Sequence, residues 1–329
     1  MATHEIAGGR QQVTSRQMLK WATGRLEIRM LMLAIIIAVT LSFASPYFLT
    51  TSNVLNLLDQ SVVVGIVAIG MTFVILTGGI ELSVGSVAGI TGIIFGLVAQ
   101  PLGLLPAVGI ALLSGAGIGL VSGVLIGYFG LAAFVVTLGM MSVARSLCYI
   151  FSGGISISTI PEPLSDFVYA KVGFIPMNVF VLGVLYLAAF LYLTYTKGGR
   201  TIYAIGSNTE AARIAGLNVI GYAILPYVIS GVLSAVSALI LAGKIMSVDP
   251  LAGNLLELDA IAAVVIGGAS LFGGRGSIIG TLIGVFIMVM IRNGLNLLGV
   301  SPFWQGSAIG SIIVAAVFIE RLVSRRGAR

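Results

Sequence analysis

Between Leu82 and Ala144 the chain carries not one charged residue. A stretch of that length has no polar side to turn toward water, so it must sit in hydrocarbon, where a backbone survives only if it bonds to itself. The rest of the chain agrees. Only 9% of the 329 residues are charged and 58% are hydrophobic, whereas soluble domains carry about 25% charged residues. The expected fold class is an all-α integral membrane protein.

A helix crosses the hydrocarbon core with about 20 apolar residues. Charge-free intervals place spans at 30–58, ending near Ser45-Pro46-Tyr47, and at 61–77. Three more lie between 82 and 144, divided at Gln100-Pro101-Leu102-Gly103 and Gly127-Tyr128-Phe129-Gly130. Others follow at 176–196, 221–243, about 258–272, 277–298 and 303–320. About ten helices are therefore expected in a membrane region 30–320, between basic tails at 1–29 and 321–329. The first span is read as retained, since it is longer than the apolar part of a leader and no clean cleavage site follows.

Basic residues near span ends mark the cytoplasmic side. With both termini inside, the cytoplasmic segments hold Arg10, Arg16, Lys20, Arg25, Arg29, Lys197, Arg200, Arg213, Arg275, Arg321, Arg325, Arg326 and Arg329. The opposite loops hold Asp59, Glu162, Asp166, Asp249, Glu257 and Asp259 against Lys171 and Lys244. That asymmetry accounts for the net charge of +6 through orientation and anionic lipid headgroups, so nucleic acid is not an expected partner.

Enzymatic chemistry finds few candidates. The single histidine, His4, lies in the tail, and the single cysteine, Cys148, lies in an apolar run and reads as a small buried hydrophobe. No group of residues suits zinc or a His-based triad, so no catalytic residue, metal or cofactor is expected.

Glycines serve two purposes. Gly115, Gly119, Gly123 and Gly127 recur every four residues, as do Gly276, Gly280 and Gly284; such stripes let another helix backbone come close. Elsewhere glycines interrupt. Residues 77–86 and 267–277 each contain GGxxLxxG, and paired glycine-broken segments in two halves of a membrane protein point to a transport path. Tight loops between spans are the other reading. Beside the first break, Glu81 and Ser83 are placed either to cap the helix that follows or to meet a solute. Arg145 and Arg292 are the two charges well inside predicted spans. They snorkel toward headgroups or line a path, with Asp249, Glu257 and Asp259 as partners.

One polar island remains, at 197–220. Ser207-Asn208-Thr209-Glu210 has the S-x-x-E form of a capping box, which starts a short helix at Ser207. Gly216 is placed to stop it. Two turns are not stable alone in water, so the helix is expected to dock, with Ala211, Ile214 and Ala215 as a small apolar face for doing so; an isolated loop helix with no partner is the other reading.

At this point the chain resembles a known family, the ribose-type permease subunits of bacterial ABC sugar importers. The resemblance rests on TGGIELSVGS at 77–86, GRTIYAIGSNTEAARIAGL at 199–217, ELDAIAAVVIGGASLFGGRGSIIGT at 257–281 and NGLNLLGV at 293–300. It differs at Glu81, where aspartate is usual, and at Ser207, where glycine is common. The resemblance implies a subunit of the bacterial inner membrane that works with a second permease chain, identical or not. It also implies an ABC ATPase below and a periplasmic or lipoprotein sugar-binding protein above. The ATPase-coupling residues would be Arg200, Tyr203, Ile205, Gly206, Ser207, Asn208, Glu210, Ala211, Ala212, Ile214, Ala215 and Gly216. The substrate path would include Glu81, Ser83, Arg145, Arg292 and Asn293, and outer docking Asp249, Glu257 and Asp259. The chain has no Walker A motif of its own, so ATP hydrolysis would belong to the partner. The competing expectation is an ATP-independent channel or secondary carrier, although such carriers place acids or histidines in mid-span.

Overall fold

A computed structural model of the protein describes residues 26–301, 304–307, 310, 311, 314 and 318. The two basic tails, apart from residues 26–29, and most of the tenth expected span lie outside the described residues. The chain is helical almost throughout: α1 Leu26–Ala44, α2 Thr51–Leu76, α3 Val84–Leu102, α4 Leu104–Gly127, α5 Ala133–Ser152 and α6 Glu162–Tyr169 come first. A small antiparallel hairpin follows, β1 Lys171–Val172 with β2 Ile175–Pro176, paired Lys171 to Pro176 and Val172 to Ile175. Then come α7 Met177–Tyr195, α8 Lys197–Ser207, α9 Thr209–Ile214, α10 Val219–Ile245, α11 Leu256–Ile266 and α12 Ile278–Leu297.

Eight of these helices are long and apolar enough to cross a membrane: α1 to α5, α7, α10 and α12. Two of the expected spans need correction. The second starts at Thr51 rather than near 61, because Thr50, extended at φ −67 and ψ 145, accepts the Asn53 N–H and opens the helix ahead of Asp59. The eighth, read at 258–272, is the eleven-residue α11 followed by non-helical chain from Gly267 to Ser277. Its apolar run continues past the helix, which is why composition alone extends it.

The bundle is built around α10, which packs on α2, α3 and α4. Its closest neighbour is α4, through the expected glycine stripe. A β-carbon at Gly119 would overlap the Tyr227 carbonyl, and one at Gly115 the Gly231 carbonyl. The second stripe joins α12 to α11 in the same way, with Gly280 against the Gly267 carbonyl and Gly284 against that of Ala263. Lipid tails are as apolar as the side chains, so such backbone contact, not burial of oily surface, holds helices together. Side-chain bonds add to it: Thr72 and Thr281 hydroxyls pair at 2.8 Å between α2 and α12, and the Asn53 and Asn293 amides bond reciprocally at 3.0 and 2.9 Å. Large apolar side chains face outward, Phe43, Leu105 and Leu113 among them, as a lipid solvent requires. Cys148 is fully buried, as expected.

A third glycine face was not anticipated. Gly85, Gly89, Gly92 and Gly96 form a groove along α3 that receives non-helical chain: Gly253, Ala252, Val248 and Ile157 in turn. The segment 246–255 lies in this groove as a strap between α10 and α11. Both its ends turn through left-handed backbone, Met246 at φ 55 and Leu255 at φ 64, conformations that cost side-chain-bearing residues energy and persist only where packing holds them.

Candidate functional site

The polar island folds as two short helices, α8 and α9. Thr196 starts α8 by accepting the Gly199 N–H at 3.0 Å. Gly198, Gly199, Thr201, Ile202 and Ile205 turn inward. Tyr203 donates its hydroxyl to the Gly276 carbonyl at 3.0 Å, tying α8 to the start of α12. At the other end Gly206 lies against the Leu76 carbonyl and the Gly274 nitrogen, while that nitrogen donates to the Leu76 oxygen at 2.9 Å. Three segments therefore close on one point: the end of α8, the break after α2, and the break between α11 and α12.

The cap of α9 is Asn208, not Ser207. Asn208 takes the extended backbone, φ −161 and ψ 102, and its side chain accepts the Ala211 N–H at 2.9 Å. Ser207 is instead the last residue of α8, with its hydroxyl beside Gly274. Glu210 does not reach back to it but pairs with Arg213 at 3.0 Å, both exposed. Gly216 does end the helix, at φ 76, and Leu217 N–H closes on the Ala212 carbonyl at 3.1 Å. Of the expected coupling residues, Ile205 and Ala212 are buried and serve as anchors, and Tyr203 and Gly206 are half-buried. Arg200, Ser207, Asn208, Glu210, Ala211, Ile214, Ala215 and Gly216 are exposed. Ile214 is 88% exposed, at the tip.

At the first glycine break, neighbours take up polar groups that the helices leave unpaired. Thr137 donates to the Ile80 carbonyl at 3.1 Å. Glu81 is buried and accepts both the N–H and the hydroxyl of Ser83, at 2.7 and 2.6 Å. Ser83 therefore does not cap α3 with its side chain, as expected from its position; its hydroxyl is committed to Glu81.

The remaining charges gather at the end of the bundle away from α9. Among the described residues Arg145 has no carboxylate within salt-bridge distance. It donates to the carbonyls of Pro250 and Ala252, at 2.6 and 3.0 Å, and so pins the strap. Asp249 is exposed and accepts the Ser156 hydroxyl at 2.6 Å and the Leu251 N–H at 2.7 Å; these bonds hold its carboxyl below the usual carboxylate range. Asp259 is buried and bound to Arg292 at 2.8 Å, which removes it from any exposed docking face. Glu257 is half-buried against Gly85. Lys244 pairs with Asp59, and Asn178 bonds the same carboxylate, joining α10, α2 and α7.

A family model described as "Branched-chain amino acid transport system / permease component" matches residues 53–319. The chain belongs to this family. It is 38% identical over 300 residues to the ribose import permease protein RbsC of Escherichia coli K12, covering 90% of this chain and 94% of the relative. It is 42% identical over 289 residues to RbsC of Bacillus subtilis 168, covering 87% and 90%. Against the D-allose transport system permease protein AlsC of E. coli K12 the identity is 34% over 295 residues, covering 89% and 90%. No solved structure matches. The permease is thus a multi-pass protein of the bacterial inner membrane and a transport component, not an enzyme. Membership also sets aside an ATP-independent channel or secondary carrier.

For a permease, the geometry separates two tasks. The α8–α9 tip offers a small apolar patch on a rigid base, while the base is stitched to both interrupted segments. The α3 groove and its strap were missed from sequence. Their signal was glycines at i, i+4, i+7 and i+11 on one helix face.

Proposed function

We propose that the chain is the membrane subunit of an ATP-binding cassette importer for a small neutral sugar or polyol, and that α9 is its coupling helix. The tip carrying Ala211, Ile214 and Ala215 seats in a cytoplasmic ATPase subunit. A second permease chain, identical or homologous, completes the pore, and a soluble or lipid-anchored sugar-binding protein docks at the far end near Asp249 and Glu257. Nucleotide-driven closure of the ATPases then shifts the population of permease conformations, by no more than their difference in affinity for the two. The observation that carries this reading is Ile214, a large apolar side chain left 88% exposed on a short helix whose base is locked to two interrupted membrane segments. The sugar class follows the names of the relatives, ribose and allose.

The test is co-purification with the ATPase subunit from membranes. Wild type should retain it and Ile214→Glu should lose it at unchanged permease level. Retention by both variants, or uptake driven by an ion gradient through the permease alone, contradicts the proposal.

A further inference from the structure

At the end of the bundle opposite α9, between α2, α10, α11 and α12, lies a cavity of about 240 Å³. A smaller one of about 130 Å³ adjoins it, and the two share Val63, Leu241, Gly253 and Leu256 as walls. Gly253 belongs to the strap, so the strap forms part of both. The larger cavity holds on the order of eight water molecules at liquid volume. That volume suits one monosaccharide.

Its lining is chemically mixed in a particular way. Met288, Val289 and Leu256 supply apolar wall, and Gln60, Asn254, Asp259 and Arg292 supply polar groups. Asp259 and Arg292 neutralise each other, which disfavours either an anion or a cation as occupant. The pair uses one Arg292 nitrogen and Asp259 Oδ1, leaving further guanidinium donors and the second carboxylate oxygen. Gln60 donates its amide to Asn56 at 3.1 Å and keeps its carbonyl. The Asn254 side chain makes no hydrogen bond among the described residues and lies at the exposed rim. Donors and acceptors thus stand together in one neutral cavity, and the occupant that satisfies both is a polyhydroxyl compound. An acyl chain would bond none of the donors and acceptors that these contacts leave free.

We infer that this cavity is a binding site for a single neutral monosaccharide within one permease chain, distinct from the external binding protein. The inference rests on the sugar-import reading for its ligand class. Arg292 and Asp259 orient the hydroxyls, Gln60 and Asn254 select them, and Met288 and Val289 receive the ring's apolar face.

Full-length permease in lipid nanodiscs, on a Cys148→Ala background, carries Asn254→Cys and is labelled with a hydrophilic maleimide. D-ribose or D-allose should slow the labelling saturably, sodium sulfate of equal osmolarity should not, and Phe174→Cys on the β-hairpin, 81% exposed in wild type, should label at one rate throughout. Equal rates at Asn254→Cys with and without every sugar overturn the site. In cells with the complete transporter, Gln60→Leu and Asn254→Leu should each raise the KM for uptake, by about tenfold for a lost hydrogen-bonding group. Unchanged KM in both variants overturns the site while leaving the importer reading intact. Absence of energised sugar uptake in wild type contradicts the importer reading, and the labelling still decides the cavity.

Discussion

Gly206 rests against the main-chain carbonyl of Leu76, so closely that a β-carbon would overlap the oxygen. The same carbonyl accepts the Gly274 N–H. A single methyl group at position 206 therefore pushes on the break after α2 and on the break before α12 at once. Gly206→Ala is expected to cost about 1–3 kcal/mol of stability by overpacking and, because it displaces both breaks, to lower sugar uptake. The tip carrying Ile214 is untouched, so the ATPase subunit should still co-purify and hydrolyse ATP. Uptake and hydrolysis measured together in proteoliposomes check this separation.

Two glycines of α4 make a paired control. Gly119 meets the Tyr227 carbonyl, whereas nothing lies within 4 Å of a β-carbon at Gly117. Gly119→Ala should lower the thermal midpoint in detergent, at a cost of about 1–3 kcal/mol. Gly117→Ala should be neutral or slightly stabilising, because alanine is the better helix former. Equal effects at the two positions would show that α4 and α10 do not meet as described.

Removing Arg292 leaves Asp259 buried without its partner. Breaking a fully buried pair costs about 3–5 kcal/mol, and exposed pairs contribute under about 1 kcal/mol. The Arg292 side chain is 38% exposed, so Arg292→Met should fall between these limits. The double variant Arg292→Met with Asp259→Leu should recover much of the loss in stability while still failing to restore uptake. A thermal double-mutant cycle combined with transport assays reads both quantities.

Asp249 gives a pH dependence. The Ser156 hydroxyl and the Leu251 N–H lower its pKa below the ordinary value of 3.8. A lowered acid contributes stability that is present above its unfolded pKa and lost as pH falls through the folded one. The strap should therefore stay fixed at pH 5 and loosen only below about pH 4. Ser156→Ala should move that loosening to higher pH. Hydrogen exchange across 247–253, with wild type and variant compared at each pH, measures it.

How far the sequence reached depended on the kind of signal. Long charge-free runs fixed most spans, because hydrocarbon excludes charge wherever it falls. The same runs hid where α11 stops, since the charge-free stretch runs on from Gly267 to Gly274 past the end of the helix. The α9 cap was misread by one residue because Ser207 and Asn208 are both good caps, and only the backbone of Asn208 takes the extended form. Helix α8 escaped notice behind Gly198, Gly199 and Gly206, which lower helix propensity but are needed for close approach. Arg145, read as snorkelling to headgroups or lining a path beside a carboxylate, instead donates to the carbonyls of Pro250 and Ala252 in the turns of the strap, a non-helical segment that charge patterning does not reveal. The apolar tip at Ala211, Ile214 and Ala215 was legible because helical spacing alone sets which residues share a face.

The central claim is that α9 joins this permease to its motor. Ile214→Cys, carrying a short photoactivatable cross-linker in the assembled, transport-competent complex, tests it directly. The account predicts a cross-link to the ATPase subunit whose yield changes with bound nucleotide. A complex that transports sugar, forms no such cross-link, and leaves position 214 open to a water-soluble thiol reagent in every nucleotide state would contradict it.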